Sequence, residues 1–195
     1  MSVVTPVFVP INLIRASWLI FAIVWLLTAI STKQTIYREN AVSRLRYMLP
    51  MILAWLLLTR ARRMIYPLNV QVIPHAFLIG WLCAILCIAG LAFCCWARLT
   101  IGRNWSGIVT LKEGHELIIR GPYALVRHPI YTGLIAMFAG TALFSGYLGG
   151  IFGIVVVFVS FWIKLREEEK VMLKQFPVEY AAYQQRVNRI IPFVV

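Results

Sequence analysis

The longest uncharged run of this chain limits the possible folds more than any other feature. In Ile130–Ile163, 34 successive residues lack a charged side chain. One helix of this length would extend about 51 Å, too long for a single crossing of a hydrocarbon core of about 30 Å. The segment Ser145–Gly150 places turn-forming residues near the middle of the run. We therefore predict two closely packed membrane helices, with Gly140 and Gly153 allowing their backbones to approach each other.

Three further apolar segments indicate membrane helices. Ala16–Ile30 is uncharged and extends back to Ile11 past one arginine, which can snorkel to the interface. Ile73–Ala97 carries no Lys, Arg, Asp or Glu and is long enough to span. Met48–Thr59 is shorter and contains a proline, so it fits either a tight span or a re-entrant piece. The expected fold is an all-α integral membrane protein with about five transmembrane helices.

The composition agrees with a chain that is solvated largely by lipid. Hydrophobic residues make up 61% and charged residues 13% of the chain, against about 45–50% and about 25% in soluble domains. The net charge of +12 could indicate nucleic acid, but the basic residues cluster in short polar segments between apolar runs. Anionic lipid headgroups attract such clusters. We expect membrane lipids as partners and no nucleic acid.

The distribution of basic residues predicts the orientation in the membrane. Five spans put Thr32–Tyr47, Arg98–Arg127 and the tail from Lys164 on one side, with 4, 5 and 6 Lys or Arg residues against three in the opposing loop. The positive-inside rule assigns these polar segments to the cytoplasm. The first ten residues carry no basic side chain, so we expect no cleavable signal peptide.

The cysteines and histidines do not form a metal motif in the sequence. Four cysteines share one apolar run: Cys83, Cys87, Cys94 and Cys95. A zinc site needs ligands at characteristic spacings, and a disulfide framework is typical of loop-rich secreted chains. We interpret the cysteines as packing groups in a membrane helix, and we expect no metal site.

Two polar clusters adjoin the predicted helices and could carry chemistry. Arg127 and His128 precede Pro129, which fits the first turn of a helix because its missing N–H is not needed there. The positive end of a helix dipole makes this a candidate anion site. An ordinary interfacial anchor for lipid headgroups would explain the same residues.

The second cluster, Lys164–Glu169, follows the last predicted span. The chain has no aspartate and seven glutamates, three of them adjacent in this cluster. Lys164 and Glu168 are four residues apart and share one helix face, while Arg166 lies on another. A solvated, ion-paired helix end explains most of the cluster, but not why nearly half of the acids gather there.

Six motifs follow one another in a fixed order over about residues 99–193. They are Gly102-Arg103-Asn104-Trp105-Ser106, Gly114-His115-x-Leu117, Gly121-Pro122-Tyr123, Arg127-His128-Pro129-x-Tyr131-x-Gly133, Glu168-Glu169, and Phe176-x-x-Glu179-Tyr180-x-x-Tyr183-x-x-Arg186-Val187-x-x-Ile190-Ile191-Pro192. Together they resemble the isoprenylcysteine carboxyl methyltransferase family, and the related membrane phospholipid methyltransferases share part of the pattern. We therefore divide the chain into N-terminal transmembrane helices, residues 1–98, and a methyltransferase core, residues 99–195, which holds a cofactor loop, a helical hairpin and a C-terminal helical tail.

The resemblance implies S-adenosylmethionine as the methyl donor, bound on the cytoplasmic side and covered by the C-terminal tail. The implied cofactor-binding residues are His115, Glu116, Leu117, Ile118, Tyr123, Arg127, His128, Pro129, Ile130 and Tyr131. By analogy with the family, the backbone around the first four of them edges the adenine.

The resemblance also implies the catalytic residues. Glu168 forms the acid–base face, with a cation one turn earlier that holds the acceptor. Members of the family usually carry Arg where this chain has Lys164, so Lys164 and Arg166 both remain candidates for that cation. Lys and Arg are not equivalent at a bidentate site.

The implied reaction is methyl transfer to the C-terminal carboxylate of an isoprenylcysteine-type lipophilic acceptor at the membrane surface. A carboxylate is already ionised at pH 7, so it needs in-line placement, removal of water and a holding cation rather than a base. The first alternative is a phospholipid N-methyltransferase, in which Glu168 would be the general base. A sterol-type reductase that uses NADPH and a non-enzymatic membrane scaffold or transporter are further alternatives.

Overall fold

The computed structural model describes residues 8–30, 34–112, 114 and 116–191, and within them the chain is predominantly helical. The predicted all-α membrane fold is confirmed, with the addition of one short antiparallel sheet. The helices are α1 (Phe8–Ala29), α2 (Ala41–Arg60), α3 (Phe77–Ile101), α4 (Pro129–Ser145), α5 (Leu148–Gln175) and α6 (Glu179–Arg186). The paired strands are β1 (Thr35–Arg38) and β2 (Thr110–Lys112). Short 3-10 turns lie at Ala61–Arg63, Gly102–Asn104 and Gly121–Ala124.

Four helices, α1, α2, α3 and α5, are long and apolar enough to cross a membrane by length and composition. The fifth apolar helix, α4, has 17 residues and is about 26 Å long. The predicted break in the long uncharged run is confirmed, because α4 ends at Ser145 and α5 begins at Leu148. Gly146 between them adopts φ 73°, a left-handed conformation that glycine tolerates best. The count of five crossings stays a prediction.

Helix α2 is longer than the apolar segment Met48–Thr59 indicates. It begins at Ala41, where the Asn40 side-chain oxygen accepts a hydrogen bond of 2.7 Å from the Ser43 N–H. This N-cap satisfies one of the unpaired donors of the first turn. Since α2 is one continuous helix of 20 residues through Pro50, its length favours a span over a re-entrant piece.

Helices α3 and α4 pack closely because small residues line their interface. A Cβ on Gly133 would lie 2.5 Å from the Cys94 sulfur and 2.5 Å from the Gly90 carbonyl oxygen. The prediction that Gly140 and Gly153 bring α4 and α5 together is wrong, because Gly140 lies against the backbone of α3 and Gly153 against side chains of α2. The tight turn joins α4 and α5 in sequence, but each has its most extensive contact with a different helix, α3 for α4 and α2 for α5.

The four cysteines lie on α3 and are free thiols. Cys83, Cys87 and Cys94 are buried, and Cys95 is half-buried. The first three belong to the core cluster in which α1, α3 and α4 meet, together with Ile14 and Met137. Their interpretation as packing groups is confirmed.

The three basic polar segments meet at one end of the bundle, where α1 and α3 finish and α2 and α4 begin; we refer to it as the polar end. The β1–β2 pair joins the first polar segment to the second. The backbone N–H groups of Arg127 and His128 donate to the carbonyls of Asn188 and Arg189 at 2.8 and 2.9 Å, which brings in the tail. The polar end therefore assembles residues that lie far apart in sequence.

Candidate active site

A cavity of about 260 Å³ lies within the polar end. Three parts of the chain form its wall: residues 101–110 after α3, residues 116–134 through the start of α4, and residues 161–183 from α5 to α6. Among the predicted site residues, the wall contains Glu116, Leu117, Ile118, Tyr123, Arg127, His128, Pro129, Ile130, Tyr131, Lys164 and Glu168. Arg166 is exposed and does not line the cavity, while His115 lies outside the described residues.

Glu168 presents its carboxylate at the cavity wall. The Tyr131 hydroxyl donates to Glu168 Oε1 at 2.5 Å, and His128 Nδ1 lies 3.6 Å from Glu168 Oε2. The Glu168 side chain is 24% exposed, so a bound molecule can reach it. Two neighbouring side chains thus orient this carboxylate without enclosing it.

Lys164 lies one helical turn before Glu168 on the same wall. Its ammonium donates to the Gly107 carbonyl oxygen at 2.7 Å and lies 5.4 and 5.5 Å from the ring centres of Tyr47 and Tyr131. Aromatic faces attract such a cation. An ammonium has three donors, so the contact with Gly107 leaves capacity to hold an anion.

The N-terminal half of the chain contributes to this arrangement through Glu39 and Tyr47. The Tyr47 hydroxyl donates to the buried carboxylate of Glu39, which also accepts a hydrogen bond of 3.2 Å from the Val109 N–H. Val109 lines the cavity. Glu39 therefore supports the wall segment around Val109 and also the Tyr47 ring beside Lys164. The sequence analysis did not predict this contribution of the N-terminal half.

Glu169 has a different environment from Glu168. Its Oε1 accepts from Arg127 Nε and Nη2 at 3.0 and 2.8 Å and lies 3.3 Å from His128 Nε2, while Arg189 Nε donates to Oε2 at 3.1 Å. We call these four residues the Glu169 ion cluster. The Glu169 side chain is 6% exposed, and a carboxylate is stable at such depth when it is paired and hydrogen-bonded.

Sequence reasoning assigned no separate role to Glu169. One signal could have found it, since Leu165 is the only apolar residue in Lys164–Lys170 and marks the buried face of this part of α5. Glu169 lies one turn further on the same face. Glu167, by contrast, forms an ion pair of 2.8 Å with the exposed Lys170, as a solvated helix end predicts.

The part of the tail that follows α5 is held over the cavity by Arg127 and by the Tyr183 hydroxyl. Arg127 Nη1 donates to the Gln184 carbonyl oxygen at 3.2 Å and also to that of Val187, and the Tyr183 hydroxyl donates to the Tyr123 carbonyl oxygen. The sequence indicated a candidate anion site at the start of α4, and the Arg127 side chain binds the Glu169 carboxylate there. A direct role of Arg127 towards a cofactor stays a prediction.

The tyrosines around the cavity are neutral hydrogen-bonding groups. Burial, and to a smaller extent the Glu168 carboxylate, raises the pKa of Tyr123 above its usual range, and burial does the same for the pKa of Tyr183. Both hydroxyls therefore stay protonated at neutral pH. Within the described part of the chain, no three His, Cys, Asp or Glu side chains are grouped so that they could hold a metal ion.

Several curated proteins are similar to this chain over about half of its length. The protein-S-isoprenylcysteine O-methyltransferase B of Arabidopsis thaliana is 32% identical over 101 residues, which are 50% of this chain and 51% of that protein. The corresponding enzyme of Saccharomyces cerevisiae is 35% identical over 101 residues, 50% of this chain and 42% of that protein. That of Tribolium castaneum is 33% identical over 125 residues, 60% and 43% of the two chains. The chain thus spans about half the length, or less, of these curated relatives.

Structural similarity extends over nearly the whole chain. A solved structure of a eukaryotic intramembrane Ras methyltransferase, isoprenylcysteine carboxyl methyltransferase, matches with a TM-score of 0.64 and 23% identity, covering 98% of this chain and 69% of that chain. This match shows a common membrane fold. The predicted resemblance to isoprenylcysteine carboxyl methyltransferases is confirmed by these relatives. The sequence model of the family described as phospholipid methyltransferase matches residues 78–179, more than half of the 195 residues, and the chain therefore belongs to this family.

Proposed function

We propose that this protein transfers a methyl group from S-adenosylmethionine to the C-terminal carboxylate of an isoprenylcysteine-type acceptor at the cytoplasmic surface of a membrane. One observation carries the proposal: Lys164 and Glu168 line the same cavity one turn apart on α5. The cation suits a carboxylate nucleophile, and the carboxylate suits a positively charged donor. The similarity to isoprenylcysteine methyltransferases supports this choice of acceptor.

The side chains around the cavity fit the methyl donor. Leu117, Ile118 and Ile130 offer apolar surface for a flat base, and the carboxylates of Glu116 and Glu168 suit hydroxyl groups and a sulfonium charge. S-adenosylmethionine supplies an electrophilic methyl group when it is bound. The roles of residues 115–118, Tyr123 and residues 127–131 as its binding residues are part of the proposal.

The residues of the chain would act on the acceptor by holding and drying its carboxylate. Lys164 holds the carboxylate through the ammonium donors that Gly107 does not use. Tyr131 and His128 fix the Glu168 side chain beside it. The tail over the cavity excludes water from the nucleophile, which strengthens these electrostatic contacts. No proton has to be removed, because the nucleophile is ionised at pH 7.

A second candidate is N-methylation of an aminophospholipid, which the match to the phospholipid methyltransferase model favours. An amine nucleophile must lose a proton, so this reaction needs a general base. Glu168 is partly exposed at the cavity wall and would take that role. The two candidates therefore share the donor site and differ in what Glu168 does.

Ligand binding and methyl transfer by purified protein in detergent test the proposal. We expect micromolar binding of S-adenosylmethionine or its demethylated product in calorimetry, and transfer of labelled methyl groups to an N-acyl prenylcysteine. Labelling of phosphatidylethanolamine instead would favour the second candidate. Binding of NADPH without binding of either donor form would contradict both.

The proposed orientation can be tested by labelling single cysteines in sealed vesicles, on a cysteine-free background. Probes at Lys112 and Gln184 should react from the same, cytoplasmic side, because β2 and the tail both lie at the polar end. Labelling of the two positions from opposite sides would rule out the composite site.

A further inference from the structure

Two side-chain oxygen atoms of the cavity wall are buried without a hydrogen-bond partner among the described residues. They are Asn104 Oδ1 and Thr110 Oγ1. Both residues line the cavity, and Asn104 is only 8% exposed. Buried polar groups in folded proteins are nearly always hydrogen-bonded, and leaving one unpaired destabilises the fold. Two such atoms on one wall point to a molecule that completes their hydrogen bonding.

The wall segment that carries these atoms is itself firmly held. The Gly102 carbonyl oxygen accepts from Arg98 Nη1 at 2.7 Å, and the Gly107 carbonyl oxygen accepts from Lys164 Nζ at 2.7 Å. Val109 exchanges hydrogen bonds with Glu39 through its N–H, at 3.2 Å, and its carbonyl, at 3.1 Å. A backbone shift that carried Asn104 or Thr110 towards other partners would break these contacts. The backbone that carries the two side chains is therefore held in place.

The position of Lys164 indicates which part of a bound molecule lies beside them. Lys164 contacts Gly107, which lies three residues from both Asn104 and Thr110. Asn104 and Thr110 therefore belong to the stretch of wall that Lys164 contacts. An acceptor whose carboxylate is held by Lys164 would lie along this stretch. In a C-terminal cysteine the amide N–H and the carboxylate are attached to the same carbon. The amide N–H of an acceptor whose carboxylate is held by Lys164 therefore lies in the cavity that Asn104 and Thr110 also line.

We propose that Asn104 and Thr110 form a subsite for an N–H donor of the methyl acceptor, next to the carboxylate held by Lys164. This rests on the proposed function and extends it to the recognition of the acceptor. The Asn104 side-chain oxygen is the principal hydrogen-bond acceptor, and the Thr110 hydroxyl accepts a second hydrogen bond or bridges through water. The subsite selects acceptors that carry an amide beside their carboxylate.

A pair of acceptors that differ only in the amide tests this subsite. The first is an N-acyl S-prenylcysteine, and the second is the matching S-prenyl thiopropionate, which keeps the thioether and carboxylate but lacks the N–H. We expect the wild-type protein to have a KM about tenfold lower for the first, since one hydrogen bond is worth about that factor. Asn104→Leu should abolish this preference by raising the KM for the amide compound alone.

Matched variants separate recognition from folding. Thr110→Val should weaken the preference and Thr110→Ser should keep it. The controls Asn12→Leu and Thr59→Val change exposed side chains of α1 and α2 away from the cavity and should leave it intact. Asn104→Leu should not lower the melting temperature of the ligand-free protein, because it removes an unpaired buried atom. Binding of the demethylated donor should also be unchanged.

The possible outcomes distinguish this subsite from the proposed function. Wild-type protein that methylates both acceptors with equal KM overturns the subsite and leaves the proposed function intact. An equal loss for both acceptors in Asn104→Leu, or no loss for either, also overturns it. Wild-type protein that binds the donor product but methylates neither acceptor overturns the proposed function, and the subsite with it.

Discussion

One stretch of α5 contributes to two regions of the molecule, the Glu169 ion cluster and the cavity wall beside it. Glu168 and Glu169 are adjacent and chemically identical, but a step of about 100° around the helix gives them different surroundings. Glu169 receives three cationic or hydrogen-bonding side chains and is almost fully buried, whereas Glu168 is held by Tyr131 and His128 and remains partly exposed to the cavity. One short acidic motif thus combines a group that stabilises the polar end with a group available for chemistry.

The largest expected effect is that of Glu169→Gln on stability. Loss of the charge leaves Arg127 and Arg189 without their shared carboxylate, and breaking a buried ion pair in this way costs about 3–5 kcal/mol. We expect a fall of several degrees in the melting temperature in detergent, with loss of donor binding because the tail is released. An unchanged melting temperature would remove the contrast between the two glutamates.

The next effect concerns Glu168→Gln, which keeps the volume and removes the charge. We expect turnover to fall by about 10²-fold, the scale for a positioned catalytic group. Affinity for the demethylated donor, which carries no sulfonium charge, and the melting temperature should stay near the wild-type values. The matched control is Glu167→Gln, since Glu167 only pairs with exposed Lys170 and such pairs contribute about 0–1 kcal/mol. Equal, small effects of both substitutions would mean that the acidic motif is only a solvated helix end.

Lys164→Met and Lys164→Arg test the cation of the cavity wall. Methionine keeps much of the length without charge, so we expect the KM for the acceptor to rise about tenfold or more, as loss of a charged hydrogen bond implies. Arginine keeps the charge and can also lie between Tyr47 and Tyr131, and should retain most of the acceptor binding. Steady-state kinetics with varied acceptor at saturating donor measures both. A normal KM in Lys164→Met would assign the carboxylate to another cation.

The smallest expected effect is that of Arg166→Gln. Arg166 is exposed and does not line the cavity, so turnover and acceptor KM should stay within about twofold of wild type, as for most surface substitutions. Steady-state kinetics with varied acceptor at saturating donor measures both quantities. A loss as large as that in Lys164→Met would transfer the proposed carboxylate-holding role to Arg166.

The sequence predicted the order of the membrane helices, and the approximate limits of most of them, because charge and turn residues delimit apolar runs; α2 begins seven residues before its apolar segment. It did not predict which helices pack together, and Gly140 and Gly153 were assigned to the wrong interface. Inside an uncharged run every face of a helix is apolar, so the contacts depend on the shape of small residues that periodicity does not reveal.

The candidate site could likewise be predicted only in part from the sequence. Spacing identified Lys164 and Glu168 as one helix face, and both line the cavity. The support from Glu39 and Tyr47 could not be predicted, because it depends on a strand pairing between segments about 70 residues apart. The ion cluster depends on the path of the tail, which sets the position of Arg189.

The anchoring of the tail has a consequence for biosynthesis. Residues 184–190 close the polar end through the carbonyls of Gln184, Val187 and Ile190, which accept from Arg127 and Thr132. These residues leave the ribosome after every other part of the cavity wall has been made. A nascent chain halted after α5 would therefore carry its membrane helices and both glutamates, but Arg127 and Thr132 would still lack these partners. Competence to bind ligand should thus arise only once these residues have been made and the tail folds back onto helices already in the membrane.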